Sequence, residues 1–481
     1  MVTDGQACQL PSGKILIGGR WHDGERVFPV MDKYTGEAFA EVQQASRQQV
    51  AAAVEVATEA AEKGPLPPVE RAVVLRRAAE QVRLAKERFV ELMIREAGFT
   101  TVDARGEVDR AQVTLNLCAE EATRIVGEAV SFASSPGQHE RLGFTVRVPI
   151  GVVCAITPFN SPLNTVLHKL GPAFAAGNAV ILKPSALTPL TAALLCEILL
   201  EAGMPPSFLS LIQGEGNGPG AWLLEEQAIG FYTFTGSTRV GRAIQAAAGL
   251  RRTQLELGSI ASTIVCADAD LDRALPKIAN AAFRKAGQVC TSIQRLYVES
   301  TVLDEVTERL GSAANAMKAG NPQDPTTVVG PMISESSAER AESWVNEARL
   351  AQARIVAGGT RSYAVMKPTV ITGALPGMKI LDQEIFAPVV SILPFTDLGK
   401  AVSEANSTPY GLSAGIFAGD VSRAVSAAKK LRFGSVHINE TSSARADAMP
   451  FGGVKDSGFG HEGPRYAIRE LTEERLVTLN P

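Results

Sequence analysis

Apolar and polar positions recur along this chain with two different periods, and the change from one to the other divides it. After a short extended start, the first third has the period of a helix. Val50, Ala53, Val54, Ala57 and Ala61 fall on one face of a helix that Gly64-Pro65 ends. A segment from Val69 to Glu96 repeats the pattern with Val73, Leu75, Ala79, Val82, Leu92 and Ile94, and stops at Gly98. A third helix is predicted from about Asp103 to Val126, with Leu115, Leu117 and Cys118 turned inward. Arg141–Val148 (RLGFTVRV) then alternates polar with apolar, as a half-exposed strand does.

From Pro149 short apolar runs alternate with helices. Ile150–Ile156, Ala179–Leu182, Phe208–Ile212 and Ile229–Phe234 read as strands. Asn164–Phe174, Thr188–Ala202 (with Pro189 in its first turn) and Thr238–Ala248 read as helices. This βαβαβ order predicts an α/β fold with a Rossmann-type parallel sheet covered on both faces. A second α/β stretch follows, with strands at Ser262–Ala267 and Arg295–Glu299 around a helix near Leu271–Arg284. Its further strand candidates are Val389–Leu393, Ala414–Phe417 and Ser435–Ile438. The break between the two domains is predicted near residue 258. Leu471–Leu479 (LTEERLVTL) reads as an exposed strand. Together with Arg141–Val148 it leaves unpaired edges that oligomerisation would cover.

Composition narrows the function classes. The 481 residues are 45% hydrophobic and 20% charged, which excludes a disordered chain. A formal net charge of −4 offers no electrostatic case for nucleic acid or for an anionic membrane. Met1–Pro11 lacks the basic start and apolar stretch of a signal peptide. The longest apolar runs, such as Ile150–Ile156 and Ala192–Leu200, fall far below the ~20 residues a bilayer requires. A cytoplasmic protein is expected. The six cysteines, at 8, 118, 154, 196, 266 and 290, form no CxxC pair, so neither a disulfide framework nor a metal site is predicted.

Cys290 differs from the others. Cys118 and Cys196 sit on apolar helix faces and Cys154 and Cys266 within strands, whereas Cys290 lies in the small, polar, turn-like sequence GQVCTS. A thiolate nucleophile needs such access. Glu256, between two leucines at the domain junction, is either exposed by strand alternation or held in a dry cleft that would raise its pKa toward that of a useful base. Asn160 follows a buried strand, where ligands of parallel sheets bind. There it is either a turn former between prolines or an amide donor to an oxyanion. Phe234–Gly241 (FTGSTRVG) opens a helix directly after a strand, and its N–H groups and the Ser237 hydroxyl suit a pyrophosphate. Gly214–Gly220 also follows a strand, but Pro219 and the missing third-glycine spacing break the dinucleotide fingerprint, so it reads as a flexible loop. Lys183-Pro184-Ser185 ends another strand at the same edge.

These motifs occur in a fixed order: TPFN at 157–160, KPS at 183–185, FTGS at 234–237, ELGS at 256–259, GQVCT at 287–291, Glu384-Ile385-Phe386, Asn439 of HIN, and PFGGVKDSG from Pro450. In this order the chain resembles the NAD(P)-dependent aldehyde dehydrogenase superfamily over essentially its whole length. The 34 residues from Glu256 to Cys290 match that family as well. The resemblance implies a dinucleotide-binding domain (1–124 and 148–258), a catalytic domain (259–455) and a small β oligomerisation flap (125–147 and 468–481), assembled as a homodimer or homotetramer. It implies Cys290 as nucleophile, Glu256 as the base that activates hydrolytic water, and Asn160 with the Cys290 N–H as oxyanion donors. Lys183 and Glu384 would hold the riboses, Ser237 the pyrophosphate, and Phe386 would lie near the nicotinamide. Thr157, Phe159, Ser185, Gly236 and Gly258 would complete the cofactor contacts.

Two departures from the family pattern touch specificity. Ala186 stands where many NAD-preferring relatives have Glu, which removes an obstacle to NADP. No Arg stands beside it, and NAD is the favoured expectation. Val289 precedes the cysteine where relatives acting on phosphorylated aldehydes carry Arg, and Ser161 follows Asn160. A strongly dianionic substrate is therefore not expected. Arg105 and Arg445 are candidate substrate contacts for a small aldehyde bearing an anionic or hydroxyl group, of the lactaldehyde, glycolaldehyde or semialdehyde kind. The opposing reading is that both face solvent or pair with Glu107 and Asp447. Two other functions stand as alternatives. A CoA-acylating dehydrogenase is disfavoured by Glu256, and an inactive member of the fold by the presence of both Cys290 and Glu256.

Overall fold

The computed structural model describes residues 10–480, so Cys8 lies outside the described residues. Two sheets organise the chain. The first has eight strands in the order Arg20–His22, Ile15–Ile17, Leu209–Leu211, Ala179–Lys183, Val152–Ile156, Phe231–Thr235, Arg252–Glu256, Gly458–Phe459. The run from Leu209–Leu211 to Arg252–Glu256 is parallel throughout. Val152–Ile156 and Ala179–Lys183 read as nearly continuous apolar runs because helices cover both faces, whereas Arg252–Glu256 (RTQLE) does not. The parallel register of these strands aligns their carboxyl ends, with Ile156 beside Lys183 and Thr235 beside Glu256.

The second sheet takes the order Arg354–Ala357, Thr369–Thr372, Val389–Phe395, Ile293–Glu299, Ala261–Val265, Ser413–Phe417, Ser435–Ile438. Only the Arg354–Ala357 edge strand pairs antiparallel. The chain passes from one sheet to the other between Glu256 and Ala261 and returns to the first with Gly458–Phe459.

Several predicted elements change. The segment from Val69 to Glu96 is two helices, Pro68–Leu84 and Lys86–Ala97, because Ala85 leaves helical geometry (φ −86°, ψ 10°). Val73 is exposed, while Leu75, Ala79, Val82, Leu92 and Ile94 are buried as expected. The third helix spans Thr101–Ala122. Gly214–Gly220 is not a loose loop. Residues 216–220 form one wide helical turn, the Gly220 N–H donating to the Glu215 carbonyl five residues back, that continues directly into the helix Ala221–Glu225.

The expected unpaired edges also need correction. Leu142–Pro149 and Thr472–Leu479 pair with each other antiparallel over eight positions, with Ala129–Ser131 on the far side of Leu142–Pro149. Segments more than 300 residues apart in sequence thus satisfy each other's backbone groups, and one edge of Thr472–Leu479 stays open. No helix among the described residues is long and apolar enough to cross a membrane.

Candidate active site

One cavity of about 540 Å³ runs between the carboxyl ends of the first sheet and the second sheet. Its walls include Thr157, Phe159, Asn160, Ser161, Lys183, Ser185, Gly236, Ser237, Glu256, Gly258, Val289, Cys290, Glu384, Phe386 and Arg445, so the sequence candidates converge there with one exception.

The exception is Arg105. Its exposed side chain bonds Glu87 at 2.7 Å and takes no part in the cavity. Helix geometry explains this. Ala104, Val108 and Ala111 face the core, and Arg110, about 140° further round the helix, lines the cavity instead. Glu107 and Asp447 are not partners of Arg105 or Arg445 either. Glu107 holds Lys285, Asp447 holds Arg110, and Arg445 pairs with Glu462.

The loop before Cys290 is strained. Lys285 and Ala286 adopt left-handed backbone (φ 51° and 53°), as does Gly287, where a Cβ would meet the Ala387 carbonyl. What holds Lys285 there is its ammonium, which bonds Glu107 Oε2 at 2.5 Å and the Asn160 carbonyl at 3.2 Å, over the Phe99 ring. The other oxygen of Glu107 accepts from Ser161 Oγ and from the N–H groups of Leu163 and Asn164. One buried carboxylate thus caps the helix Asn164–Ala176 and ties the Asn160 loop to the cysteine loop. Asn160 Nδ2 donates to the Gln288 carbonyl at 2.8 Å, two residues from Cys290.

Cys290 is half-buried, unlike Cys118, Cys154, Cys196 and Cys266, which are fully buried. Burial pushes its thiol up to about 12; Arg445 opposes this, and nearby carboxylates, Glu256 first, reinforce it. Glu256 ends its strand 3% exposed, and neither carboxylate oxygen has a hydrogen-bond partner. Burial, and then the charge of Glu462, raise its pKa well above the ordinary value. Of the two readings open in the sequence, the structure realises the dry cleft.

The other end of the cavity suits a dinucleotide. Lys183 is buried and donates to the carbonyls of Pro184 (3.1 Å) and Gly214 (2.8 Å). Burial pulls its pKa down to about 8. The helix Thr238–Ala248 opens at the cavity, capped by Ser237. A Cβ on Gly236 would strike the Phe234 ring, and one on Gly258 would crowd Glu384. Glu384 accepts from the Ser259 N–H at 2.9 Å and is raised to about 7 by burial. Phe159 and Phe386 meet edge to face, with centroids 5.9 Å apart, to form an aromatic wall.

Sequence reasoning missed Arg110, His168, Arg284, Ser443 and Glu462, all of which line the cavity. Arg284 lies six residues before Cys290, at the end of the helix Leu271–Phe283, where a basic side chain passes for an ordinary helix-end residue. It donates to Ser443 Oγ at 2.8 Å, and Ser443 in turn meets Thr291 Oγ1 at 3.1 Å. The signal available for His168 was its spacing from Asn164 and Thr165 on one helix face.

A half-buried cysteine, an unpartnered buried glutamate and a side-chain amide share one cavity, the arrangement expected of the NAD(P)-dependent aldehyde dehydrogenase class. The sequence comparison agrees. Residues 21–477 match the aldehyde dehydrogenase family, and the chain belongs to it. It is 45% identical over 472 residues to a 3-sulfolactaldehyde dehydrogenase of Priestia aryabhattai, covering 98% of this chain and 99% of the relative. It is also 35% identical to a lactaldehyde dehydrogenase of Methanococcus maripaludis, covering 97% and 100%. Among solved structures, aldehyde dehydrogenase 21 of Physcomitrella patens, in complex with the reaction product succinate, superposes with a TM-score of 0.94. Its identity is 35%, covering 97% of this chain and 98% of that one. The protein is thus an NAD(P)-dependent enzyme that oxidises small aldehydes.

Proposed function

We propose that the enzyme oxidises a short aldehyde carrying a single anionic group to the corresponding acid, by a hydrolytic route. The observation that carries this reading is the charge balance at the cysteine end of the cavity. Arg110 is matched by Asp447 (2.6 Å), Lys285 by Glu107 (2.5 Å) and Arg445 by Glu462 (2.7 Å). Arg284, mostly buried, bonds a serine hydroxyl and no carboxylate directly, with Asp103 its foremost charged neighbour. A buried guanidinium without a carboxylate is costly unless a ligand supplies the anion. One guanidinium with no directly bonded carboxylate, with Val289 in place of a second arginine, suits a monoanion. The relatives named for 3-sulfolactaldehyde and the neighbour holding succinate support it.

In this reading Cys290 Sγ attacks the aldehyde carbon, and Asn160 Nδ2 and the Cys290 N–H stabilise the oxyanion of the hemithioacetal. Bound NAD(P) supplies the hydride acceptor. Glu256 then takes a proton from the water that attacks the Cys290 thioester, releasing the acid and restoring the thiol. Lys183, Ser185, Ser237 and Glu384 would hold the dinucleotide, and the Phe159–Phe386 wall would keep water from the nicotinamide end.

The test is Arg284→Leu assayed on 4-oxobutanoate and on butanal. The variant should lose about 10²–10³-fold in kcat/KM on the anionic aldehyde and only a few-fold on the neutral one. An unmodified enzyme that handles both equally would sink the proposal.

NAD is the cofactor we favour slightly over NADP, because no Arg adjoins Ala186 in the sequence to neutralise a 2′-phosphate and the Lys183 ammonium already serves two carbonyls. Ala186→Glu should cut NADP-linked kcat/KM about 10–100-fold through like-charge repulsion while changing NAD-linked kcat/KM little. Parallel assays with the two dinucleotides check this, and unaltered NADP use would place the 2′-position elsewhere. We also assign residues 125–147 and 468–481 to an oligomerisation flap of a cytoplasmic homodimer or homotetramer. The open edge of Thr472–Leu479, with Leu476 and Leu479 exposed, supports it.

A further inference from the structure

Two loops that meet at the cysteine end of the cavity are stapled to each other reciprocally. The ammonium of Lys285, in the loop leading to Cys290, donates to the Asn160 carbonyl at 3.2 Å. Asn160 Nδ2 donates back to the Gln288 carbonyl at 2.8 Å. The Gln288 N–H donates to the Lys285 carbonyl at 3.1 Å, which closes residues 285–288 into a turn. Gln288 is itself fixed, because its side-chain oxygen accepts from the Ile333 N–H at 2.9 Å. A carbonyl only accepts, so the Asn160 atom facing Gln288 is the amide nitrogen. One of its two hydrogens is used there. Asn160 lines the cavity with the other uncommitted.

The staple is strained. Lys285 and Ala286 are consecutive non-glycine residues in left-handed backbone, followed by Gly287 at φ 66°. Such residues persist only where their surroundings over-determine them. Here the surroundings are a buried ion pair. Lys285 Nζ meets Glu107 Oε2 at 2.5 Å, and the two side chains are 9% and 1% exposed. The same ammonium lies 4.1 Å from the centroid of the Phe99 ring. Glu107 Oε1 accepts from Ser161 Oγ and from the N–H groups of Leu163 and Asn164. One carboxylate therefore grips the chain directly after Asn160, while its partner ammonium grips the Asn160 carbonyl. A buried ion pair is weak grounds for stability, since well-packed apolar residues of similar volume often do as well. What this one supplies is a defined position for the Asn160 amide relative to the Cys290 loop.

We propose that Glu107 and Lys285 form a positioning pair for the oxyanion donor, so that the rate of attack by Cys290 depends on them through Asn160. This rests on the roles given to Cys290 and Asn160 above. Without the ammonium, the Asn160 carbonyl loses its donor and the left-handed turn loses its anchor. The amide and the sulfur then drift relative to each other. A displacement of about 1 Å at a reacting centre lowers the rate about 10²-fold. Binding of the aldehyde and of the dinucleotide uses other groups and is left in place.

A single substitution in the pair leaves a buried charge without its partner and can prevent folding. The test therefore uses the double variant Glu107→Gln/Lys285→Met. Its glutamine keeps an acceptor for Ser161, Leu163 and Asn164, and neither charge of the pair is left behind. The burst of reduced dinucleotide on 4-oxobutanoate with NAD is followed by stopped flow in this variant, in Asn160→Ala and in the triple variant. The double variant should keep its aldehyde KM within a few-fold and its Tm within a few degrees, and should lose about 10²-fold in burst rate. Asn160→Ala should lose about 10²–10³-fold. Adding the pair substitutions to Asn160→Ala should lower the rate only a few-fold more, because groups that act through Asn160 then have nothing to position. A purely structural role predicts losses that multiply. Multiplying losses, or an undiminished burst rate in the double variant, overturn the proposal. Lys285→Gln, which offers Glu107 a neutral donor, is scored in the same way if the double variant does not fold. A full burst rate in Asn160→Ala would instead overturn the oxyanion reading beneath the proposal, and the proposal with it.

Discussion

Replacing Cys290 with alanine should abolish aldehyde oxidation, with a loss of about 10⁴-fold or more in kcat, while dinucleotide binding survives. The size of the effect follows from the absence of a substitute. Among the described cysteines the other four are fully buried, in helices, in a strand or directly after one, and burial is the main cause that pushes their thiols upward; that of Cys266 goes to about 11. None can reach a substrate. Removal of a nucleophile that forms a covalent intermediate costs most of the rate enhancement, because the remaining groups only bind and polarise. The variant should fold normally, since Cys290 is half-buried and its Sγ fills no core position. Nucleotide titration by quenching of protein fluorescence separates the two effects. Retained turnover would refute the nucleophile assignment; lost nucleotide binding would mean that the loop itself had collapsed.

The resting electrostatics sharpen this expectation. With its thiol pushed up to about 12, Cys290 is protonated at neutral pH. Its main opposing influence is Arg445, whose own charge is balanced by Glu462. Reaction must therefore wait for a change in the cavity, such as bound substrate or cofactor, that moves a proton off the sulfur. A thiol shielded in this way is protected from oxidation between turnovers.

Much of this was readable in the sequence, for identifiable reasons. The strand ends beside Thr157, Lys183 and Gly236 were legible because short apolar runs bounded by turn formers have few alternatives, whereas Arg252–Glu256 (RTQLE) has no such run and was not predicted as a strand. Their common edge follows from parallel topology alone. The break at Ala85 was not legible. Neither Gly nor Pro marks it, and the helical period resumes with the next residue, so tertiary packing set the bend. Arg105 and Arg110 look alike in sequence, and only the rotation of their helix against the core decides which one sees the cavity. The pairing of Leu142–Pro149 with Thr472–Leu479 joins distant segments through backbone bonds, which no local pattern encodes. Arg284 escaped for a related reason. Its importance lies in what it lacks, a directly bonded carboxylate. Such a lack becomes visible only once every neighbour is in place.

Glu256→Gln should leave the first turnover nearly intact and slow steady-state turnover about 10²–10³-fold, so that a burst of reduced dinucleotide is followed by little further product. The argument is that the carboxyl is needed to take a proton from water in deacylation, and an amide cannot. The pH dependence has a definite sign. Because burial and Glu462 raise the Glu256 pKa, the base form is scarce at low pH, and deacylation by the unmodified enzyme should rise with pH through that raised value. The variant should lose this limb. The same shift bears on stability. A carboxyl whose pKa is higher folded than unfolded favours the folded state at low pH, and this advantage disappears as pH rises through the folded value. Glutamine has no such term, so the Tm of the variant relative to the unmodified protein should climb as pH is raised. Stopped-flow absorbance of the reduced dinucleotide, with thermal melts across the same pH range, tests both. If the burst itself disappears while the Tm holds, Glu256 is also the base that takes the proton from Cys290. A full rate with no pH change would remove it from the reaction.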